Sequence, residues 1–318
     1  GCNTLQGVKS AEMEYHFIIN PKARTGMGEM IWRMIEPELK KRRVDYFCHM
    51  TKSRNHARKI AGRITADGQE HKIVVLGGDG TVNEVVNGIR VPGKVTLGYI
   101  PIGSSNDFAR GLKIPKDPDK ALDIILDPQK IIHMDVGELT AAGRQRRFAV
   151  SAGIGFDAAV CHEVCVSKWK ILLNRIGLGK LSYAVVALDR LKKDRPVKMT
   201  VRLADGTVRT FERAYFAAFM NLPYEGGGFM FCPEASPADG EMDVIIVHSL
   251  PVVKILCLLP LAFWGKHTGF KGVTIIRCKE IQVETEKPLP LHMDGEPGFP
   301  RKEVKASLMR ERLKVIVG

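Results

Sequence analysis

The residue run with the clearest capacity for chemistry is Gly77-Gly78-Asp79-Gly80-Thr81-Val82-Asn83-Glu84, which follows the apolar segment Ile73–Leu76. Glycines let a main chain approach a phosphate group closely, and the N-terminus of a following helix offers unpaired N–H groups. Asp79 could hold a metal ion or accept a proton. The alternative is a tight strand-to-helix turn with Asp and Thr as caps. The ordered combination of these features after a strand favours phosphate binding.

Two further polar runs follow apolar segments in the same way. Pro101-Ile102-Gly103-Ser104-Ser105-Asn106-Asp107 comes after Thr96–Ile100, and Asn20-Pro21-Lys22-Ala23-Arg24-Thr25-Gly26 ends the first predicted strand. Considered alone, the first of these runs would cap a helix through Ser105 or Asn106. Three polar loops at the same edge of one sheet predict a nucleotide cleft.

Two runs in the second half carry acidic groups. Residues 233–243, Pro-Glu-Ala-Ser-Pro-Ala-Asp-Gly-Glu-Met-Asp, place carboxylates and carbonyls in a turn before a strand, and such oxygen ligands suit Mg²⁺. The alternative is a solvated acidic turn. His292-Met293-Asp294-Gly295-Glu296 is either a hairpin turn or the source of a general base.

The elements that must position these runs can be predicted from their periodicity. The first 136 residues alternate predicted strands (Tyr15–Asn20, Asp45–Met50, Lys72–Leu76, Thr96–Ile100 and Lys130–Val136) with helical stretches near 28–42, 55–66, 81–90 and 118–126. Such alternation is typical of a doubly wound parallel sheet, in which ligands bind at the carboxyl ends of the strands.

The pattern changes after about residue 138. Val197–Leu203 alternates apolar and polar residues, and Asp205-Gly206 predicts a hairpin turn. We therefore predict an N-terminal doubly wound α/β nucleotide-binding domain over residues 13–137. A C-terminal antiparallel β-sandwich-like domain with helices is expected over 138–318, the helices lying near 156–168, 182–192 and 251–264.

The charge balance narrows the classes of partner. The 318 residues include 48 Lys and Arg against 35 Asp and Glu, a net charge of +13, which attracts nucleic acid, an anionic membrane or a phosphate-rich ligand.

Seven cysteines without a C-x-x-C pair suit a reducing compartment. Pro251–Trp264 is shorter than the ~20 residues that span a bilayer and is expected to pack against the sheet. The basic segment Ser167–Lys180 suits either an anionic bilayer surface or a solvated helix face.

Together these runs resemble the diacylglycerol-kinase-like lipid kinases, which include bacterial diacylglycerol kinases, YegS-type lipid kinases, and sphingosine and ceramide kinases. The resemblance extends from about Tyr15 to the C-terminus. It also includes Asp135-Val136-Gly137, Ser151–Ala158, Gly226-Gly227-Gly228, Asp239-Gly240 and Asp294-Gly295-Glu296. The Gly77–Thr81 element alone is similar to nicotinamide-dinucleotide kinases and phosphofructokinases as well.

The resemblance implies an ATP- and Mg²⁺-dependent kinase that transfers the γ-phosphate to a lipid hydroxyl, with diacylglycerol as the leading substrate and phosphatidic acid as the product. Phosphatidylglycerol, ceramide or a sphingoid base remain alternatives, as does a soluble substrate of the NAD-kinase type. A basic nucleic-acid-binding protein is the alternative that is not an enzyme. The resemblance also implies a role in phospholipid biosynthesis, a cytoplasmic protein bound peripherally to an anionic membrane, and no nucleic-acid partner. The resemblance does not decide whether the protein forms a homodimer.

Site residues follow from the same resemblance. It places ATP against Asn20, Pro21, Lys22, Ala23, Arg24, Thr51, Gly78, Asp79, Gly80, Thr81, Val82, Asn83, Glu84 and Ser104. It places Mg²⁺ at Asp239 through its side chain and at Ser236 and Glu241 through their carbonyls. The catalytic base is expected in the Asp294–Glu296 pair, with Glu296 ahead, and Asp79 is the alternative. Arg24 stands where glycine is frequent, and Ser104 where threonine is usual.

Overall fold

The first domain is built on a six-stranded sheet that contains the first five strands and the last strand of the chain. A computed structural model describes residues 13–155, 175, 177, 195–293 and 296–318, with the main chain alone at 256 and at 296–298. In chain order the first elements are β1 (Tyr15–Ile19), α1 (Ala23–Lys41), β2 (Tyr46–Met50), α2 (His56–Ile64), β3 (His71–Gly77), α3 (Asp79–Gly88), a 3₁₀ turn (Pro92–Lys94), β4 (Val95–Pro101), α4 (Asp107–Leu112), α5 (Pro118–Leu126) and β5 (Lys130–Met134). The predicted alternation of strands and helices is confirmed over this part of the chain.

Both faces of this sheet are covered by helices. Successive strand residues point to opposite faces, so Phe17 and Ile19 pack on the side of α1 and α5, whereas Ile18 packs on the side of α2 and α3. Strands β1 to β4 are parallel, and their carboxyl ends therefore meet at one edge. This edge is where the three polar loops lie.

The second domain is mainly antiparallel. Its elements are β6 (Gly137–Ala141), β7 (Arg144–Phe148), β8 (Ser151–Gly155), β9 (Val197–Leu203), β10 (Val208–Met220), β11 (Met242–His248), α6 (Val252–Ala262), β12 (Val273–Cys278), β13 (Glu280–Met293) and β14 (Glu296–Leu308). The helices expected near 156–168 and 182–192 lie outside the described residues, as does the basic segment Ser167–Lys180 except for Arg175 and Gly177.

The long strands β10 and β13 organise this domain. Both contain register shifts, and each pairs with β8 near one end and with β9 near the other. One apolar core lies within the folded sheet, and a second lies between the sheet and α6.

The last strand, β15 (Leu313–Val317), returns to the first sheet. It pairs parallel with β4 and antiparallel with β5, so the strand order of this sheet is β2-β1-β3-β4-β15-β5. The two domains are consequently joined both at β5–β6 and through β15. Within the part of the chain that the structure describes, no helix combines the length and apolar character needed to cross a bilayer.

Candidate active site at the domain junction

Loops at the carboxyl ends of β1 to β4 surround a cavity of about 1000 Å³. Four basic side chains line it, together with one carboxylate among the described lining residues. The lining consists of Asn20, Lys22, Ala23, Arg24, Thr25, Thr51, Lys52, Ser53, Arg54, Gly78, Gly80, Thr81, Glu84, Gly103 and Ser104. The N-terminus of α3 also lies at this edge, and helix N-termini favour anions. The cavity therefore suits a polyphosphate.

The loop after β1 has a left-handed backbone. Arg24, Thr25 and Gly26 have φ values of 45°, 56° and 94°, which bend α1 at its first turn. An L-residue other than glycine is disfavoured in this conformation by ~1–2 kcal/mol, so Arg24 is held there at a cost. The bent turn brings the Arg24 side chain into the cavity lining.

The loops after β3 and β4 touch through their glycines. A Cβ atom on Gly103 would lie 2.7 Å from the Cα of Gly78, closer than a side chain tolerates. The Ile102 N–H donates to the Gly77 carbonyl at 2.9 Å, and the buried Tyr99 hydroxyl donates to the same oxygen at 2.7 Å. These contacts hold the two loops in one fixed arrangement.

Asp79 holds the start of α4. Its carboxylate accepts hydrogen bonds from the backbone N–H groups of Asp107 at 2.9 Å and Phe108 at 3.1 Å, one at each oxygen. Asn106 occupies the N-cap position without a side-chain bond, so the expected cap by Ser105 or Asn106 is replaced by Asp79. Burial raises the pKa of Asp79 above its ordinary value.

Asp107 links the two domains. One oxygen accepts from Arg110 Nη1 at 2.6 Å, and the other accepts from the Gly227 N–H of the second domain at 3.0 Å. Burial, and after it the charge of Asp79, raises the pKa of Asp107 to about 7. Two neighbouring carboxyl groups thus share a site where at least one of them binds a proton readily.

The second domain meets Asp107 with a glycine hairpin, residues 225–229, closed by paired backbone hydrogen bonds between Glu225 and Phe229. Gly226, Gly227 and Gly228 all have positive φ, which the three glycines adopt without a side-chain clash. A second cavity of about 360 Å³ lies beside this hairpin, lined by Arg110, Tyr224, Gly227, Gly228, Phe263 and Trp264.

A buried polar group fixes the base of the glycine hairpin. Glu225 Oε1 lies 2.8 Å from His292 Nε2 and accepts from the Ser151 hydroxyl at 3.1 Å. Glu225 and His292 have almost no exposed side-chain surface. Because His292 is on β13, this contact joins the hairpin to the strand that leads to Asp294 and Glu296.

The expected base residues lie at the end of that strand pair. Glu296 begins β14 opposite Met293, which in turn pairs with Ala152 on β8. Asp294 and Gly295 fall outside the described residues, and the Glu296 side chain is not described. The main chain therefore positions this turn at the end of the β8–β13–β14 sheet.

The acidic turn expected to bind Mg²⁺ is anchored by the buried Asp135. The Gly240 N–H donates to Asp135 Oδ2 at 2.8 Å, and Arg312 Nε lies 2.9 Å from Oδ1. Asp239 is exposed, and its Oδ1 accepts from the Glu241 N–H at 3.0 Å. No group of three His, Cys, Asp or Glu side chains suited to a metal occurs among the described residues. The donors here are one carboxylate and main-chain carbonyls, which agrees in kind with the preference of Mg²⁺ for oxygen.

Most of the residues expected to contact ATP line the large cavity. Val82 and Asn83 do not, because α3 turns both side chains into the domain interior, where they are buried. Pro21 and Asp79 are adjacent in sequence to lining residues. Lys52, Ser53 and Arg54 line the cavity without having been predicted. The sequence signal that could have identified them is the presence of basic residues shortly after the predicted strand Asp45–Met50.

Comparison with known proteins agrees with this geometry. Residues 14–139 match the family model described as the diacylglycerol kinase catalytic domain, and residues 149–317 match the YegS C-terminal NAD kinase beta sandwich-like domain. The chain belongs to the diacylglycerol-kinase-like lipid kinase family. It is thus a phosphotransferase with an alcohol group as acceptor. The predicted α/β domain followed by a β-sandwich-like domain is also confirmed.

Relatives of this lipid kinase cover most of its length. It is 34% identical over 293 residues to "Putative lipid kinase YtlR" of Bacillus subtilis, covering 89% of this chain and 93% of that protein. It is 31% identical to "Diacylglycerol kinase" of Mycobacterium tuberculosis, with 82% of each chain covered. A "putative diacylglycerol kinase" of Bacillus anthracis strain Sterne superposes with a TM-score of 0.76 at 25% identity, covering 96% of this chain and 97% of that one.

Proposed function

We propose that this lipid kinase uses ATP and Mg²⁺ to phosphorylate the hydroxyl of a membrane lipid, with diacylglycerol as substrate and phosphatidic acid as product. The observation that carries the proposal is a pair of cavities, one lined by the sequence neighbours of Asp79 and the other by Arg110 and Gly227, which bind Asp107. One cavity is basic and formed by strand-end loops, and the other has aromatic walls and one guanidinium. Such a pair suits a nucleotide and an amphipathic acceptor.

The basic cavity supports the assignment of ATP. Phosphoryl transfer depends mainly on positioning and charge neutralisation. Lys22, Arg24, Lys52 and Arg54 supply positive charge. Gly78 and Gly103 also line the cavity, and because they have no side chains their main chain is accessible to phosphates. Membership of a kinase family also implies ATP as co-substrate.

The aromatic cavity supports a lipid acceptor. Phe263 and Trp264 line one side, and the Arg110 guanidinium lies 5.7 Å from the centre of the Tyr224 ring. A polar head near Arg110 and a hydrocarbon chain along Phe263 and Trp264 would satisfy both the guanidinium and the aromatic wall of this cavity.

The reaction requires the lipid oxygen to attack the γ-phosphorus while the bond to the ADP oxygen breaks. The hydroxyl proton passes to a carboxylate, for which we propose the Asp294–Glu296 pair with Glu296 as the acceptor. Both Asp79 oxygens already accept backbone N–H groups, and this supports a positioning role for Asp79.

For the metal, we propose Asp239 with the carbonyls of Ser236 and Glu241 as ligands. When bound, Mg²⁺ would supply positive charge and fix the local backbone. Asp135 would keep the turn in place through its bond to the Gly240 N–H.

A lipid panel tests the substrate. Label transfer from γ-labelled ATP would be measured with diacylglycerol, phosphatidylglycerol, ceramide and sphingosine in mixed micelles, and with NAD in buffer. We expect labelled phosphatidic acid as the main product, with a rate that rises with anionic phospholipid and falls with salt. NAD phosphorylation without any lipid product would overturn the proposal.

The base assignment needs a separate comparison. Glu296→Gln and Asp294→Asn should each lower kcat by ~10²–10⁴-fold with ATP binding retained. Asp79→Asn should instead weaken ATP binding, because α4 loses its anchor. Normal kcat in both C-terminal variants would contradict the assignment.

A further inference from the structure

Helix α6 is apolar on both of its faces. Its inner face, which includes Ile255, Leu258 and Leu259, packs on the sheet of the second domain. Its outer face carries Val253, Cys257, Pro260 and, one turn further, Trp264, all of which are exposed. Val253 is 71% exposed and Trp264 67% exposed. A helix that is apolar all round is normally buried on every side, whereas none of the residues that the structure describes covers this outer stripe.

The chain segment that carries the stripe is basic. The sequence contains no Asp or Glu from Val244 to Lys279. Lys254 on α6 and Lys266 and Lys271 after it are all exposed. Phe270, which is 43% exposed, lies between the last two. Lysines beside apolar and aromatic side chains suit the headgroup boundary of an anionic bilayer, where the long side chains reach the phosphates.

The stripe also ends at the proposed acceptor site. Trp264 and Phe263 form one side of the cavity that contains Arg110 and the glycine hairpin. Phe263 stacks on Phe229 at the end of that hairpin, with ring centres 4.0 Å apart. A lipid held under the outer face of α6 would thus have a short path to the Arg110 cavity.

We propose that the outer face of α6, with Trp264, Phe270, Lys254, Lys266 and Lys271, is the surface on which this kinase binds an anionic lipid bilayer. This docking surface rests on the proposed function, because it presents the acceptor cavity to lipid. The apolar stripe would enter the headgroup boundary, and the lysines would pair with lipid phosphates.

The direct test is co-sedimentation of the whole chain with vesicles of phosphatidylcholine, with and without phosphatidylglycerol. The wild type should bind the vesicles that contain phosphatidylglycerol, and less so in high salt. Val253→Glu with Cys257→Glu should lower this binding by about tenfold or more, because two charges enter the apolar stripe. Removing each of Lys254 and Lys271 should cost roughly fivefold.

A matched control is available on α1. Met30 and Met34 are 62% and 60% exposed and also lie one turn apart on a helix. Met30→Glu with Met34→Glu adds the same charge elsewhere and should leave vesicle binding within about twofold of the wild type. Equal loss in both double variants would overturn the proposal. So would a change of oligomeric state in the α6 variant with vesicle binding intact, since a second copy would then cover the stripe.

Two measurements separate docking from catalysis. In a Trp169→Phe background, Trp264 emission should shift to shorter wavelength on anionic vesicles, whereas Trp32 is buried. Activity on short-chain diacylglycerol below its micellar concentration should be retained by the Val253→Glu/Cys257→Glu variant. Vesicle binding by a wild type that phosphorylates no lipid would refute the proposed function and leave the docking surface standing. The absence of a Trp264 shift would refute the docking surface.

Discussion

Asp107 is a buried carboxyl group that holds the two domains together, and its replacement by Asn tests this arrangement quantitatively. The residue is 5% exposed and binds Arg110 and the Gly227 N–H. Asn has nearly the same shape and can still accept from the Gly227 N–H, but it cannot ionise. The variant therefore removes the titration while it conserves most of the packing.

The magnitude follows from the pKa of Asp107, which rises from 3.8 to about 7 on folding. Between these values the folded chain binds more protons at this site than the unfolded chain, so stability falls as pH rises. A shift of roughly three units corresponds to ~4 kcal/mol. The contribution is fully present below pH 4 and is lost as the pH passes through about 7. About 3 kcal/mol of it should be lost between pH 5 and pH 8.

Urea unfolding of wild type and Asp107→Asn at several pH values measures this loss. We expect the free energy of unfolding of the variant, relative to the wild type, to increase by about 3 kcal/mol from pH 5 to pH 8. Asp119→Asn, which removes an exposed carboxylate from α5, controls for the change in net charge. A difference between wild type and Asp107→Asn that stays constant over this range would refute the assigned role of burial.

Three other variants probe the loops around the site. Gly103→Ala should raise the KM for ATP by about 10- to 100-fold, because the new Cβ would lie 2.7 Å from the Cα of Gly78. An unchanged KM in steady-state kinetics would show that the two loops move apart freely. Arg24→Gly should raise the KM for ATP but change the free energy of unfolding by less than about 1 kcal/mol, because relief of the left-handed backbone offsets the conformational entropy of glycine. Equal KM values would show that the guanidinium does not contact phosphate. Asp239→Asn should raise the Mg²⁺ concentration needed for half-maximal activity without changing urea unfolding, and an identical Mg²⁺ titration would show a merely solvated turn.

The first domain could be predicted closely from the sequence because its signals are local. Short apolar runs such as Ile73–Leu76 predict strands. Glycines and polar residues that directly follow such a run predict a ligand-binding loop. The position of β15 could not be predicted in this way. Leu313–Val317 is apolar enough for either sheet, and its pairing with β4 and β5 is decided by contacts distant in sequence.

Within the site, too, the contacts that could not be predicted join residues that are distant in sequence. The run containing Asp107 suggested a helix cap, whereas the structure shows that Asp79 provides the cap and Asp107 binds the second domain. Both facts depend on residues that are distant in the chain. Contact of Val82 and Asn83 with ATP stays a prediction. The helical period of α3 turns both side chains inward, which the resemblance alone does not show.

The decisive measurement for the proposed lipid kinase activity is the transfer of phosphate from ATP to lipid. Wild-type protein and Gly103→Ala would be supplied with γ-labelled ATP, Mg²⁺ and diacylglycerol in mixed micelles that contain anionic phospholipid, and the label in the organic extract would be counted. We expect labelled phosphatidic acid from the wild type and a much lower rate from Gly103→Ala at limiting ATP. Label confined to a water-soluble product, or equal rates from both proteins, would show that the chain is not the proposed lipid kinase with ATP held between these loops.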